Sequence, residues 1–364
     1  MKVINIETFI VKVPLIKPFK TAIRTVLSAD SLLVRLDCDN GISGWGEAPA
    51  TVAITGDSLA SIETAIKEYL GPFLKGRNLL SYEEVLSGLD GVMIGNTSAK
   101  AALDMAVYDC LAQNSHLPLY QYLGGASGDL ETNMTVSVNS PEEMGDDAER
   151  YIGQGFSVLK VKVGIGEIDL DIKRVKEIRK RVGHDIRIRL DANQGWSPKE
   201  AIKAIRQMED EGLAIELVEQ PVLAHDLHGM KKVTDHVDTF IMADEAVFSP
   251  KQALEVIKMR AADLINIKLM KAGGIYQGQI INQLAETAGM ECMVGSMIET
   301  HLGITAAAHF AASRKNITRF DFDAPLMLSK NILEGGLRYQ VSHISLPAEE
   351  GLGIRSVHTY EGGD

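Results

Sequence analysis

The chain has 364 residues, is 45% apolar and carries a formal net charge of −12. Such a chain is not disordered by composition, and its length suits an α/β barrel with an accessory domain. The acidic balance argues against nucleic acid or an anionic membrane as partner, because both select basic patches.

Residues 1–8 alternate apolar and polar side chains and lack the apolar run of a signal peptide. No segment approaches the length of a membrane span, so a cytoplasmic protein is expected. The three cysteines, Cys38, Cys110 and Cys292, are scattered and odd in number, so neither a disulfide framework nor a thiolate metal site is indicated.

In chain order, residues 3–13 read as a strand. Residues 31–36 and 42–47 flank Asn40-Gly41, a hairpin turn signal. Helical patterns follow at 59–70, 81–89 and 97–113, the last rich in alanine. Leu123-Gly124-Gly125 closes this α+β region, and the domain boundary is placed after residue 124. Eight strands are then expected at 131–138, 158–163, 186–192, 215–220, 240–243, 263–269, 291–298 and 317–323. Helical patterns at 169–181, 198–211, 250–260 and 275–288 lie between them. The basic run from Lys173 to Arg181 falls in one of these and reads as its solvated face. Repeated βα units of this number predict a closed parallel barrel over residues 125–330. No long helix follows the eighth strand, so residues 331–364 are expected to leave the barrel and return toward the first domain.

The strands end in Thr135, Lys160-Val161-Lys162, Asp191, Glu219, Asp244, Lys268, Ser296 and Asp321-Phe322-Asp323. Any one of these alone reads as a solvated charge. Their recurrence at strand ends reads as the functional rim of a barrel. Strand alternation sets Lys160 and Lys162 on one face and Val161 on the other. Asp191, Glu219 and Asp244 fall on consecutive strands. An all-oxygen set of this kind suits Mg²⁺, with Mn²⁺ as an alternative. Asn193 and Glu245 are candidate supports for it. Lys162 and Lys268 come from strands on opposite sides of the barrel. That placement suits removal of a carbon-bound proton from one face of a substrate and its return to the other. A lysine base needs a pKa drawn toward neutrality, here by the cation and by Lys160. The alternative is a pair of structural ion pairs that leave both lysines charged. A unit charge at about 4 Å is worth roughly 4 kcal/mol at an effective dielectric of 20. A rate gain of about 10¹⁰ needs nearly 14 kcal/mol. A cation together with Lys160, both directed at substrate carboxylate oxygens, approaches that figure.

Other features carry less. Ala272-Gly273-Gly274 lacks the spacing and lysine of a P-loop. His225 and His228 share a loop without an acidic partner at metal-site spacing. No G-x-S-x-G or H-E-x-x-H occurs.

These residues resemble the enolase superfamily, in its muconate-lactonizing-enzyme subgroup. The resemblance runs over nearly the whole chain through Lys160-Val161-Lys162, Asp191-Ala192-Asn193, Glu219-Gln220-Pro221, Asp244-Glu245 and Ile267-Lys268 followed by Ala272-Gly273-Gly274. A lysine base with Mg²⁺ is the general pattern of such sites. The resemblance implies a modified TIM barrel, (β/α)7β, under an N-terminal α+β capping domain. It implies Mg²⁺ on Asp191, Glu219 and Asp244, acid/base roles for Lys162 and Lys268, and Lys160 at the substrate carboxylate.

Within the subgroup, Asp321 and Asp323 share one face of the eighth strand. Two acids there repel an anionic acyl group and attract a free ammonium. The pattern resembles dipeptide epimerases that act on L-Ala-D/L-Glu, in murein peptide recycling. The alternative is a strand end that balances a basic neighbour. Arg24, in a loop over the barrel mouth, would then take a glutamate side chain. Phe19 and Ile54 would wall the pocket, with Thr135, Ser296 and Ile298 beside the substrate. The expected activity is epimerisation at the α-carbon of the C-terminal residue of a dipeptide. N-acylamino-acid racemisation, o-succinylbenzoate synthesis and muconate cycloisomerisation are alternatives on the same scaffold. A non-catalytic barrel that binds small ligands is the alternative of another class. Barrels with such caps commonly self-associate, so a homo-oligomer is expected.

Overall fold

A computed structural model describes residues 1–126 and 128–358. The chain opens with β1 (Val3–Lys20), β2 (Thr25–Cys38) and β3 (Ser43–Pro49), an antiparallel sheet in that order. The Asn40-Gly41 turn joins β2 to β3. There Cys38 N donates to Ile42 O at 2.8 Å, and Gly41 takes φ +85°, where a side chain would be strained. β1 runs past the expected end at residue 13. Its ladder is irregular between Pro14 and Phe19, where Pro14 and Pro18 supply no N–H.

The helices of this domain are α1 (Leu59–Thr64), α2 (Gly71–Leu74), α3 (Tyr82–Gly91), α4 (Thr97–Asn114) and α5 (Leu119–Tyr122). The single helix expected over 59–70 is divided, with a π-helical stretch at Ala65–Leu70. Helix α4 is buried from Ser98 to Ala112. Its alanines allow this. A Cβ on Gly44 or Gly46 would overlap the backbone oxygens of Ala106 and Ala102, so β3 lies directly on the helix backbone.

After β4 (Asp129–Glu131) the chain alternates strand and helix. The elements are β5 (Met134–Val136), α6 (Pro141–Gln154), β6 (Val158–Lys162), α7 (Ile168–Val182), β7 (Arg187–Asp191), α8 (Pro198–Asp210) and β8 (Ile215–Glu219). They continue as α9 (Leu227–Thr234), β9 (Phe240–Ala243), α10 (Pro250–Met259), β10 (Leu264–Ile267), α11 (Leu269–Ala272), α12 (Ile275–Thr287), β11 (Glu291–Val294), α13 (His301–Ala312) and β12 (Ile317–Phe320). Strands β5 to β12 form one eight-stranded sheet in sequence order, paired in parallel. Ser140, Ser197 and Ser249 each precede a proline and cap α6, α8 and α10 through their hydroxyls.

The first and last barrel strands meet mostly through side chains. Thr135 N donates to Asp323 Oδ2 at 2.6 Å, and Phe322 N donates to Thr132 Oγ1 at 2.8 Å. The apolar residues of alternate register, such as Val161, Leu190 and Ile265, pack outward under the helices. Leu217, Met242, Leu264 and Met293 form a separate cluster inside.

Among the described residues no α-helix follows β12. A 3₁₀ turn (Ala324–Met327) leads to β13 (Leu333–Gly335), β14 (Arg338–Gln340), β15 (His343–Ser345) and β16 (Ile354–Val357). β14 and β15 extend a small sheet with β4, and β13 pairs with β16. Leu119 N donates to Gly351 O at 2.8 Å and Gly351 N to Leu117 O at 2.9 Å, so this segment touches the first domain. Residues 359–364 of the expected 331–364 segment lie outside the described residues. Among the described residues, no helix is long and apolar enough to cross a membrane.

Candidate active site

The carboxyl ends of β6 to β10 bring charged side chains into the barrel core. Lys160 Nζ lies 3.1 Å from Asp191 Oδ2, 2.7 Å from Glu219 Oε2 and 2.8 Å from Asp321 Oδ2. Lys162 Nζ donates to Asp191 Oδ2 at 2.6 Å and to Asn193 Oδ1 at 3.1 Å. Across the barrel, Lys268 Nζ donates to Asp244 Oδ2 at 2.7 Å. Asn193 continues the chain by donating to Glu245 Oε1 at 3.1 Å. All these groups are buried.

Burial would raise the Asp191 carboxyl, but Lys162, Lys160 and Lys268 hold it down at about 2. Burial likewise opposes ionisation of Asp244, and Lys268 and Lys271 outweigh it, leaving the group well below the carboxylate range. Glu219 goes the other way. Burial and Asp191 push it up to about 8, although Lys160 is close. Its Oε2 is near that ammonium without the alignment of a hydrogen bond. Burial would lower both Lys160 and Lys268, but the surrounding acids raise them. The downward shift expected for a lysine base is therefore not present at Lys268 in this arrangement. The physical reason is that Asp244 and Glu219 face it directly.

Among the described residues no three acids stand gathered as a ligand cluster, because ammonium groups lie between them. The donor set nevertheless fits a hard cation. It is all carboxylate oxygen, and Glu219 Oε2 and Asp244 Oδ1 are buried without a well-formed hydrogen bond.

Above the acids is a narrow cavity of ≈ 40 Å³. Lys160, Lys162 and Lys268 line its floor, and Thr135, Ser296, Ile298, Asp321 and Asp323 line its sides. Phe19, Arg24 and Ile54 of the first domain close it. The ring centroid of Phe19 lies 5.7 Å from Lys162 Nζ. The turn carrying Arg24 is folded by Thr21, whose hydroxyl accepts from Ile23 N and Arg24 N, each at 3.3 Å. Ser296 and Ile298 lie beyond the end of β11 at Val294, not on the strand expected over 291–298.

Asp321 and Asp323 differ in their surroundings. Asp321 accepts from Asn133 Nδ2 at 2.7 Å and from Lys160 Nζ at 2.8 Å. The reading of this position as a strand end that balances a basic neighbour describes that contact. Asp323 accepts from Thr135 N, and burial with the Asp321 charge pushes it up to about 7.

One participant, Lys271, was not foreseen, and another, Asn266, was expected to face inward with Lys268 but was given no role. Asn266 Nδ2 donates to Glu219 Oε1 at 2.8 Å. It shares a strand face with Lys268, and that alternation was its available signal. Lys271 lies on α11, 2.7 Å from Asp244 Oδ1, and no strand pattern marks it.

A barrel with acids and lysines at its carboxyl rim, under an α+β cap, has the layout of an α/β-barrel enzyme. Residues 5–124 match the mandelate racemase / muconate lactonizing enzyme N-terminal domain, and residues 143–358 match the enolase C-terminal domain-like family. The chain belongs to the enolase superfamily. It is 63% identical over 354 residues to the L-Ala-D/L-Glu epimerase of Bacillus subtilis, covering 97% of each chain. The substrate-liganded structure of the Bacillus subtilis enzyme superposes with a TM-score of 0.97 at 62% identity, covering 98% of this chain and 99% of that one. A dipeptide epimerase from Enterococcus faecalis, complexed with Mg and L-Leu-L-Tyr, superposes at 0.95 with 44% identity, covering 98% of this chain and 100% of that one.

Proposed function

We propose that this chain is a dipeptide epimerase that inverts the α-carbon of the C-terminal residue, with L-Ala-D/L-Glu as its substrate pair. The observation that carries this reading is the presence of Lys162 and Lys268 in one cavity, reached from β6 and from the end of β10. A carbon acid held between them meets an amine on each face. One takes the α-proton and the other returns a proton from the opposite side, which inverts the centre. Each lysine must leave its carboxylate partner to do this.

Asp191, Glu219 and Asp244 would hold one Mg²⁺ per subunit. When bound there, Mg²⁺ supplies Lewis-acid stabilisation of negative charge on a substrate carboxylate and offsets the acids that raise Lys268. Lys160 adds a fixed positive charge beside that carboxylate. Asp323, with Asp321 behind it, takes the free ammonium of the dipeptide. Arg24 is half-buried in the cavity wall and takes the glutamate side chain. This substrate places the reaction in the recycling of murein peptides.

One observation favours a second reading. Lys160 and Asn133 already satisfy Asp321, which weakens the case for ammonium capture there. An N-acylamino-acid racemase would need no ammonium site. The test is α-proton exchange in D₂O, with Mg²⁺, on L-Ala-L-Glu, L-Ala-D-Glu and an N-succinyl amino acid. Exchange on both dipeptides, with inversion, supports the proposal. Exchange confined to the N-acyl substrate gives the second reading, and no exchange on any substrate removes both.

A further inference from the structure

The cap holds the barrel by a carboxylate as well as by apolar contact. Glu47 of β3 is fully buried. Its Oε1 accepts from Ser31 Oγ at 2.6 Å and from Thr300 N at 2.9 Å. Its Oε2 accepts from Thr300 Oγ1 at 2.6 Å and from Gly303 N at 2.8 Å. Thr300 and Gly303 open α13, so a residue of one domain caps a helix of the other. Gly303 permits the approach. A Cβ there would meet Glu299 Oε2 and would lie 3.1 Å from Glu47 Oε2.

The segment just before α13 matters for the site. It contains Ser296, Met297 and Ile298, which line the cavity. At one end Gly295 N donates to Ile267 O at 3.0 Å, and a Cβ on Gly295 would lie 3.2 Å from Lys268 Cε. In the middle Met297 N donates to Glu299 Oε1 at 2.8 Å. At the other end Glu47 holds Thr300. Cap, loop and lysine thus form one connected run. Asp104 of α4 repeats the device one unit earlier. It accepts from Ile275 N at 2.5 Å and from Tyr276 N at 3.2 Å, at the start of the helix that follows the Lys268 loop.

We infer that Glu47 is a positioning residue for substrate binding: by capping α13 from the other domain, it fixes the 295–300 loop against Lys268 and under the cap. Ser296 to Ile298 form walls that a bound substrate touches in ground and transition states alike, so loosening them acts mainly on KM. The inference rests on the proposed epimerase activity for its kinetic readout.

The test compares wild type with Glu47→Gln, which keeps the shape but replaces one acceptor oxygen by a donor. Two measurements are made on the full chain with Mg²⁺: steady-state kinetics on L-Ala-L-Glu, and amide hydrogen exchange over residues 295–303. The expected result is a KM raised at least tenfold, kcat within about threefold, and faster exchange confined to that segment. Glu47→Asp and Ser31→Ala should show smaller effects of the same kind. A folded Glu47→Gln protein with KM within twofold of wild type and unchanged exchange in the segment overturns the inference. If Glu47→Gln does not fold, Thr300→Val is judged by the same two criteria. Hydrogen exchange needs no substrate, so a wild type inactive on dipeptides would remove the functional reading while unchanged exchange in Glu47→Gln would still overturn, and faster exchange support, the hold of Glu47 on the 295–300 loop.

Discussion

Lys271 Nζ stands 2.7 Å from Asp244 Oδ1, while Lys268 Nζ stands 2.7 Å from the other carboxylate oxygen, Oδ2. The same ammonium donates to the backbone oxygen of Asp244, and to Val247 O and Asn266 O at 3.1 Å each. It therefore fixes the orientation of an acid assigned to the cation. Lys271→Met would leave three buried carbonyl oxygens without their donor. We expect Mg²⁺ affinity, measured by isothermal titration, to fall roughly 10–100-fold, the usual effect of losing a support of this kind. Unchanged affinity in a folded variant would separate Lys271 from the cation site.

Lys162 and Lys268 should divide the reaction between them. Lys268→Ala and Lys162→Ala are each expected to lose epimerisation by at least about 10³-fold, within the range for removal of a general acid or base. Each should retain exchange of the α-proton from one enantiomer, and the two variants should retain opposite ones. NMR in D₂O on L-Ala-L-Glu and L-Ala-D-Glu reads this directly. Full epimerisation by either variant would contradict the two-lysine scheme.

Asp323 predicts a pH dependence in binding. Burial and Asp321 raise its carboxyl to about 7, and it must be ionised to attract an ammonium. Because the shift is upward, the ionised form dominates above that pH and is lost below it. KM for the dipeptide is expected to fall about tenfold per unit as pH rises toward 7 and to level off above, the behaviour of a single titrating group. Asp323→Asn should raise KM and flatten the profile. A KM in that variant that still falls with pH would assign the titration elsewhere.

Arg24 sets a test of substrate choice. Burial lowers its guanidinium pKa, while Glu245 acts against that. Arg24→Met is expected to raise KM for L-Ala-L-Glu by at least tenfold, about 1.4 kcal/mol of binding. KM for L-Ala-L-Leu should stay within a factor of about three. Equal losses on both substrates would deny Arg24 a role in reading the acidic side chain.

His309 predicts a stability dependence remote from the cavity. It is fully buried on α13, accepts from Tyr120 N at 3.0 Å, and burial lowers its pKa from 6.5 to about 3. The unfolded chain takes up this proton below 6.5, and the folded chain does not until about 3. Its contribution is therefore complete above 6.5 and is lost as pH falls through that window, at about 1.4 kcal/mol per unit. Urea unfolding at pH 7.0 and 5.5 should show this loss in the wild type and a smaller one in His309→Gln. Equal losses would place the acid sensitivity on other groups.

The barrel was legible because its signal is local. Short runs of Val, Ile and Leu ending in Asp191, Glu219 and Asp244 carry both the strand and its rim in a few residues. Lys160 and Lys162 were placed together by alternation alone. What the sequence did not carry is pairing over distance. Glu47 reads as one polar residue in a hairpin, yet its partner Thr300 is 253 positions away. Lys271 was missed because its partners are mainly backbone oxygens, which leave no side-chain pattern. The strand expected to reach Ile298 stops at Val294, since Gly295 turns the chain against Asn266 and Lys268. The lysine–acid pairs were foreseen as an alternative, and their strength follows from burial that no strand pattern quantifies.

The final segment of the described chain returns to the first domain, where Leu352 N donates to Asp109 Oδ1 at 2.8 Å, while Asp109 Oδ2 accepts from Trp45 N at 2.9 Å. Cap and barrel are thus fastened by the covalent passage near residue 124, by this clasp, and by the holds of Glu47 and Asp104 on α13 and α12. A lid with a fastening on both sides does not swing as a body. Freedom to admit and release a ligand is left to short segments of the mouth such as the Thr21–Arg24 turn, whose Thr21, Ile23 and Arg24 line the cavity.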